Sequence, residues 1–294
     1  MTEIFGYPIP VILGQLMLGL VNGSFYAMLS LGLAVIFGLL GVVNFAHGAF
    51  YMLGAYVAYV ALDSLGINYW FALVLAPVLI GALGIVLERL LLRHLYQLDP
   101  LYGLLLTFGL ALIAEGIMRD YYGSSGQSYP VPAALQGVFN LGFMILPIYR
   151  AWVIVASLVI CFLTWFIIER TRLGATLRAA TENPRLVQAF GINVPVIVML
   201  TYGAGTGLAA LAGVLSAPVI QVSPLMGSSL VVVVFAVVVI GGMGSILGAI
   251  VSGLVLGMVE GATKVIYPEA SNIVVFVIMA IVLVLRPAGL FGRE

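Results

Sequence analysis

The sequence predicts an all-α protein that crosses a membrane many times, and three observations carry that expectation. Only 7% of its 294 residues are charged and 63% are hydrophobic, where soluble domains carry about 25% charge. A mean hydropathy of +1.24 would leave large apolar patches on any water-exposed globule of this size. The charges are also gathered into clusters that leave long apolar runs between them, and a charge at the bilayer centre costs about 2.5–3.5 kcal/mol. Third, glycine recurs at four-residue spacing inside those runs, at Gly19/Gly23, Gly203/Gly207, Gly244/Gly248 and Gly253/Gly257/Gly261. Lipid supplies no hydrophobic drive between helices, so small-residue ridges serve close backbone packing. Packing within the chain and packing against another subunit both use such ridges.

Taken in order, the apolar runs give the crossings. The uncharged stretch Ile4–Leu62 would be about 90 Å long as a helix, enough for two crossings of a roughly 30 Å core and a turn. Residues 64–87, Leu101–Met118 with Glu115 near its end, and Ala151–Ile168 give one each. Leu186–Val259, at about 110 Å, asks for three, and Ser271–Leu285 gives a short last one. The expectation is about nine crossings, in a range of eight to ten, with broken or half helices among them. The seventh, Ser229–Ile240, reaches only about 18 Å and reads as a half-helix; fused with the next as residues 229–262 it would leave eight.

Residues 119–150 read as an extracytoplasmic loop. Tyr121–Tyr149 lacks charge, yet Gly123-Ser124-Ser125-Gly126-Gln127-Ser128, Pro130 and Pro132 are turn chemistry, and Val138–Leu146 suits a small hairpin at the membrane surface. Orientation follows from basic residues, which favour the cytoplasm in short loops. With the N-terminus outside, Arg89, Arg93, Arg170, Arg172, Arg178, Arg185, Arg286 and Arg293 fall inside, and only Arg119, Arg150 and Lys264 outside. The start, Met1-Thr2-Glu3-Ile4-Phe5-Gly6, lacks a basic n-region, so the first crossing is expected to stay in the mature protein.

Residues 169–195 form the richest polar segment. Asn183 is a capping residue, Pro184 suits the first helical position, and Gly191 supplies a left-handed stop. Together they write a helix of about two turns through Arg185, Leu186, Val187, Gln188, Ala189 and Phe190, either a docking element or a connector resting at the interface. Two punctuated turns interrupt the apolar runs, Val43-Asn44-Phe45-Ala46-His47-Gly48 and Gly241-Gly242-Met243-Gly244-Ser245. They resemble the broken helices that line transporter pathways, although a turn at the interface uses the same residues. His47, with no ligand-type residue at metal-binding spacing, reads as an orienting hydrogen bonder. Glu115 and Glu260 intrude furthest into apolar stretches, and each has a base four residues on, Arg119 and Lys264, that would pair with it on one helix face.

Several functions are excluded by what is missing. The single lysine, Lys264, does not follow a glycine, so no phosphate loop exists. No nucleophile elbow or His-Glu-x-x-His zinc motif occurs. Acidic and basic residues balance at eleven each, so no basic face exists for nucleic acid. The lone Cys161, between Ile160 and Phe162, excludes an internal disulfide and reads as a buried inert thiol. A secondary carrier needs acids or histidines near mid-membrane to couple ions, and here they sit at span ends.

Four strings then identify a resemblance: Gly41-Val42-Val43-Asn44-Phe45-Ala46-His47-Gly48 with Tyr51-Met52-Leu53-Gly54-Ala55-Tyr56; the loop from Arg178-Ala179-Ala180 to Gly191-Ile192; Gly241-Gly242-Met243-Gly244-Ser245-Ile246-Leu247-Gly248; and Leu285-Arg286-Pro287-Ala288-Gly289-Leu290-Phe291-Gly292. Over essentially its whole length the chain resembles the permease subunits of branched-chain amino-acid ABC importers, most like the LivH type of the LivH/LivM pair. Ser252 and Ala288 depart mildly from the pattern.

The resemblance implies that residues 1–294 are one transmembrane permease domain in a bacterial inner membrane. It implies no catalytic residue, cofactor or metal in this chain. The implied partners are a second, LivM-like permease, two ATP-binding subunits and a periplasmic solute-binding protein. The Asn183–Gly191 helix becomes the element that couples to the ATPase, and Asn22, Asn44, His47 and Gly241–Ser245 become pathway residues. Related permeases carry branched-chain amino acids, urea, short amides or aromatic acids; an autonomous carrier or channel is the other reading of the same residues.

Overall fold

In the computed structural model, which describes residues 3–4, 6–41, 43–96 and 98–292, nine long apolar helices form the body of the protein. Val42, Arg293 and the Met1-Thr2 and Phe5 positions of the N-terminal run lie outside the described residues. A two-residue pair, β1 (Glu3–Ile4) with β2 (Tyr7–Pro8), precedes α1 (Ile9–Leu40). Then come α2 (Ala46–Leu65), α3 (Tyr69–Leu90) and α4 (Pro100–Tyr122). A hairpin of β3 (Val138–Asn140) and β4 (Ile145–Pro147) leads directly into α5 (Ile148–Arg170), the small hairpin expected within the 119–150 loop. Two amphipathic helices follow, α6 (Arg172–Glu182) and α7 (Pro184–Ala189). The chain closes with α8 (Val194–Ser216), α9 (Met226–Gly241), α10 (Ile246–Ile266) and α11 (Val274–Leu285).

Among the described residues, seven of these helices are long and apolar enough to cross a membrane: α1–α5, α8 and α10. Helices α9 and α11 are apolar but shorter. The half-helix expected at Ser229–Ile240 is α9, begun three residues earlier, and residues 229–262 are not one helix.

Helix packing runs over glycine. Helix α1 lies antiparallel to α10, with Gly19 against Gly257, Gly23 against Gly253 and Leu254, and Gly38 against Gly244. Between them the Ser30 hydroxyl donates to the Ala249 carbonyl at 3.2 Å. Helix α8 packs on α3 in the same antiparallel way, with Gly203 against Gly81 and Gly207 against Pro77. Helices α1 and α8 cross backbone to backbone at Gly32 and Gly205, and α2 and α9 at Gly48 and Gly227. Exchanging α1 with α8, α2 with α9 and α3 with α10 maps the α1–α10 contact onto α3–α8 and the α1–α8 and α2–α9 contacts each onto itself. The six helices are thus two halves of opposite direction, the inverted-repeat architecture of many transporters.

The buried acid Glu260 ties the outer part of the α1–α10 pair. It accepts from the Tyr26 hydroxyl at 2.7 Å and pairs with Lys264 at 2.6 Å, the partner expected from sequence. Glu115 is also buried, but among the described residues it forms no ion pair with Arg119; the two share a helix without their charged ends meeting. Helix ends at the α1 N-terminal side carry an aromatic cluster, in which the Tyr149 hydroxyl donates to the Leu215 carbonyl at 2.9 Å and Trp152 Nε1 donates to the Tyr69 hydroxyl at 3.1 Å.

The glycine seam gives a direct test. A Cβ on Gly257 would overlap the Gly23 backbone, whereas one on Gly109 meets nothing within 4 Å. Gly257→Leu is therefore expected to cost about 1–3 kcal/mol or more and to lower the thermal unfolding midpoint in detergent, with Gly109→Leu unchanged.

Candidate functional site

Helix α1 ends at Gly41, whose φ of +65° is the left-handed conformation that glycine adopts without strain. The chain then turns back into the bundle rather than leaving it. His47 Nε2 lies 3.0 Å from the Leu29 carbonyl, which is eleven residues, about 16 Å, before the end of α1. Helix α2 thus begins at mid-depth, and residues 43–45 lie beside the lower half of α1. A carbonyl only accepts, so Nε2 carries the proton, and the ring is held between Leu29 and Gly32.

The non-helical backbone here is satisfied by side chains. Phe45 N–H donates to Thr107 Oγ1 at 3.1 Å, the Thr107 hydroxyl reaches the Val43 carbonyl at 3.4 Å, and Ala46 N–H donates to Asn44 Oδ1 at 3.1 Å. Asn44, His47 and Thr107 are all fully buried. Among the described residues, Asn44 Nδ2 and His47 Nδ1 have no hydrogen-bond partner, nor do the nearby hydroxyls of Tyr51 and Tyr202. The Tyr202 hydroxyl approaches the Asn44 side chain without completing a bond.

The second half repeats the device. Val222 bridges to Gln127 in the loop after α4, and the chain descends from there until Gly227 meets Gly48. Helix α9 is short because it too starts at depth. Sequence reasoning missed this second break, residues 217–225; Pro218 and Pro224 in an otherwise apolar run were its signal.

The two sequence-predicted turns are not brought together. Gly241–Ser245 lies at the lower end of the bundle, with Gly244 on Gly38 and Gly242 on Gly292. Leu290 and Phe291 N–H groups donate to the Ile240 and Gly241 carbonyls at 2.9 and 3.1 Å, and Ser245 Oγ caps α10 by accepting from Gly248 N–H at 3.1 Å. Met243 is exposed. Asn22 is half-buried on α1, seven residues or about 10 Å above the His47 contact.

The helix written by Asn183–Gly191 is present as α7. Asn183 Oδ1 accepts from Leu186 N–H at 3.0 Å, Pro184 opens the helix, and Gly191 has a φ of +82°. Val187 is buried with Ala180 and Val194, with half-buried Val198 packed against them, while Leu186 and Phe190 are 55% and 77% exposed. Sequence analysis missed α6 beneath it, although Leu173, Leu177 and Ala180 carry helical spacing. Arg178 pins α6 to α5, its Nη1 donating to the Ile168 carbonyl at 2.6 Å and facing Glu169 at 3.5 Å. A cavity of about 420 Å³ joins this element to the lower turn, lined by Glu169, Arg178, Thr181, Gly38, Gly244 and Ser245.

Glu88 was also missed, because it closes an apolar run. It is 2% exposed near the end of α3 and accepts from the Tyr96 hydroxyl at 3.1 Å, tethering the 91–99 connection. Burial first, and then the neighbouring carboxylate, hold the Tyr96 phenol above its ordinary pKa.

Helices interrupted at depth, inverted halves and a capped helix outside the bundle define a multi-pass helical membrane protein of the permease class. The chain belongs to the family described as branched-chain amino acid transport system / permease component, whose model matches residues 15–283. It is 31% identical over 308 residues to the high-affinity branched-chain amino acid transport system permease protein BraD of Pseudomonas aeruginosa, covering 100% of this chain and 98% of that one. It is 31% identical over 309 residues, with the same coverage, to the corresponding LivH of Escherichia coli K12. The E. coli LivM permease is 26% identical over 90% of this chain and 67% of its own length. No solved structure matches the chain. Its role is that of a permease.

Removing the Tyr96 donor leaves a buried acid unpaired. Tyr96→Phe is expected to cost about 1–3 kcal/mol in thermal unfolding, and Tyr96→Phe with Glu88→Leu to recover part of that loss.

Proposed function

We propose that this chain is the transmembrane permease subunit of an ATP-driven ABC importer in a bacterial inner membrane. It forms half of the pathway for branched-chain or related amino acids delivered by a periplasmic binding protein. The other half is a second, LivM-like permease, and two ATP-binding subunits supply the energy. The observation that carries this reading is α7. A six-residue helix capped at both ends, anchored inward by Val187 and presenting Leu186 and Phe190 to the outside, is built to sit in another protein's groove.

With the N-terminus outside, α7 and the Gly241–Ser245 turn lie on the cytoplasmic side and residues 119–150 on the periplasmic side. Closure of the ATPase pair on ATP would displace α7. The displacement reaches the bundle through short, rigid links: the shared Ala180–Val187–Val194 contact to α6, then the Arg178 bond to the end of α5. Asn44, His47 and the two mid-depth helix starts are the parts of the pathway wall that such a displacement would rearrange.

Leu186→Asp with Phe190→Asp tests the reading. Each buried apolar anchor of an interface is worth about 2 kcal/mol, so the pair is expected to weaken co-purification of the ATP-binding subunits by at least a hundredfold and to abolish uptake, with membrane insertion intact. Unchanged association contradicts it, as does solute flux through this chain alone in liposomes without ATP.

A further inference from the structure

The cavity of about 420 Å³ between α6 and the Gly241–Ser245 turn has the size of a small-molecule site. A base and an acid stand on its wall, Arg178 of α6 and Glu169 at the end of α5. They approach through one contact of 3.5 Å, with 39% and 41% of each side chain exposed, so neither charge is closed on the other. The Ile168 carbonyl accepts from Arg178 Nη1 at 2.6 Å, which fixes the planar guanidinium at the wall. Its Nε–Nη2 edge makes no hydrogen bond among the described residues and keeps the fork geometry that matches a carboxylate. Ser245 also lines the cavity; its oxygen accepts from Gly248 N–H at 3.1 Å, and its own proton is left to donate.

The same cavity has an apolar lining of Val35 from α1, Ile246 from α10, Met243 and Phe291. Met243 and Phe291 are 57% and 43% exposed, so an apolar group entering here would take their surface out of water. The pairing of charges restricts what can enter. A phosphate or sulfate drawn to the guanidinium would meet the Glu169 carboxylate beside it, and an acyl chain alone would strip water from both charges and replace it with nothing. A ligand that satisfies the whole lining carries an anion and a cation close together and an apolar substituent next to them.

We propose that this cavity binds a free α-amino acid with an apolar side chain, its carboxylate on Arg178, its ammonium on Glu169 and its side chain against Met243 and Phe291. Bound there, it ties α5 and α6 to the Gly244–Ser245 turn and holds the element that carries α7 against the bundle. That mechanical consequence rests on the importer reading; the binding does not.

Isothermal titration calorimetry on the full chain in phosphatidylcholine nanodiscs, without ATP or partner subunits, tests it. Leucine is expected to bind. Leucinamide and 4-methylpentanoate, which each lack one of the two charges, and serine, which lacks the apolar side chain, are expected to bind more weakly by about tenfold or more. Glu169→Gln leaves the Arg178 bond to the Ile168 carbonyl in place and is expected to weaken leucine binding by about tenfold or more, whereas Glu182→Gln, an acid of α6 outside the lining, leaves it unchanged. No leucine binding to the wild type, or binding indifferent to Glu169→Gln, overturns the proposal. Displacement of leucine by O-phosphoethanolamine, whose two charges lie further apart, assigns the cavity to a lipid headgroup and overturns it too. Failure of ATP-driven uptake in the complete complex counts against the importer reading alone.

Discussion

A chain that leaves the helix inside a membrane must find partners for its freed N–H and C=O groups within the protein, because lipid offers none. In this structure that requirement falls on residues 43–45, and its solution is local. Asn44 folds its amide over the first turn of α2, Thr107 reaches across from α4 to take the Phe45 N–H, and His47 donates to the backbone of α1. Each of the three polar side chains is fully buried. Were Asn44 or Thr107 apolar, the Ala46 or Phe45 N–H would lose its partner inside the bundle.

The rest of the bundle makes room for this. A helix that starts at depth must approach its neighbours closely, since its first turn has no long flank to pack with, and Gly48 on Gly227 is that approach. The same economy of side chain at Gly32/Gly205 and along the α1–α10 seam lets the two inverted halves interlock. These contacts are van der Waals contacts between backbones, the force available where burial from water is not. They hold a scaffold around the buried Asn44, His47 and Thr107.

Much of this was legible in the sequence for plain physical reasons. Charge is so costly in lipid that Asp63, Arg150, Glu169 and Arg185 bound the apolar runs by themselves, and the small-residue ridges at Gly19/Gly23 and Gly253/Gly257 marked surfaces for close packing, though not that they meet each other. The α7 helix was spelled out by Asn183, Pro184 and Gly191, each acting on the backbone within a few residues of itself. What failed to show were features that depend on depth. The Asn44–Gly48 and Gly241–Ser245 strings look alike as punctuation, yet one is fixed at mid-depth by Thr107 and Leu29 and the other caps the lower end against Gly38 and Gly292. Their partners lie 62, 18 and more residues away, beyond any local pattern. Glu88 escaped notice because its partner, Tyr96, sits outside the span.

The central claim is that residues 43–48 are held within the bundle at membrane depth by their own hydrogen bonds. Amide hydrogen exchange of the protein in lipid nanodiscs tests it directly. The Phe45, Ala46 and His47 N–H groups should exchange as slowly as those of the neighbouring part of α1, around Leu29. Exchange as fast as at the exposed Ser124 and Ser125 would contradict the account.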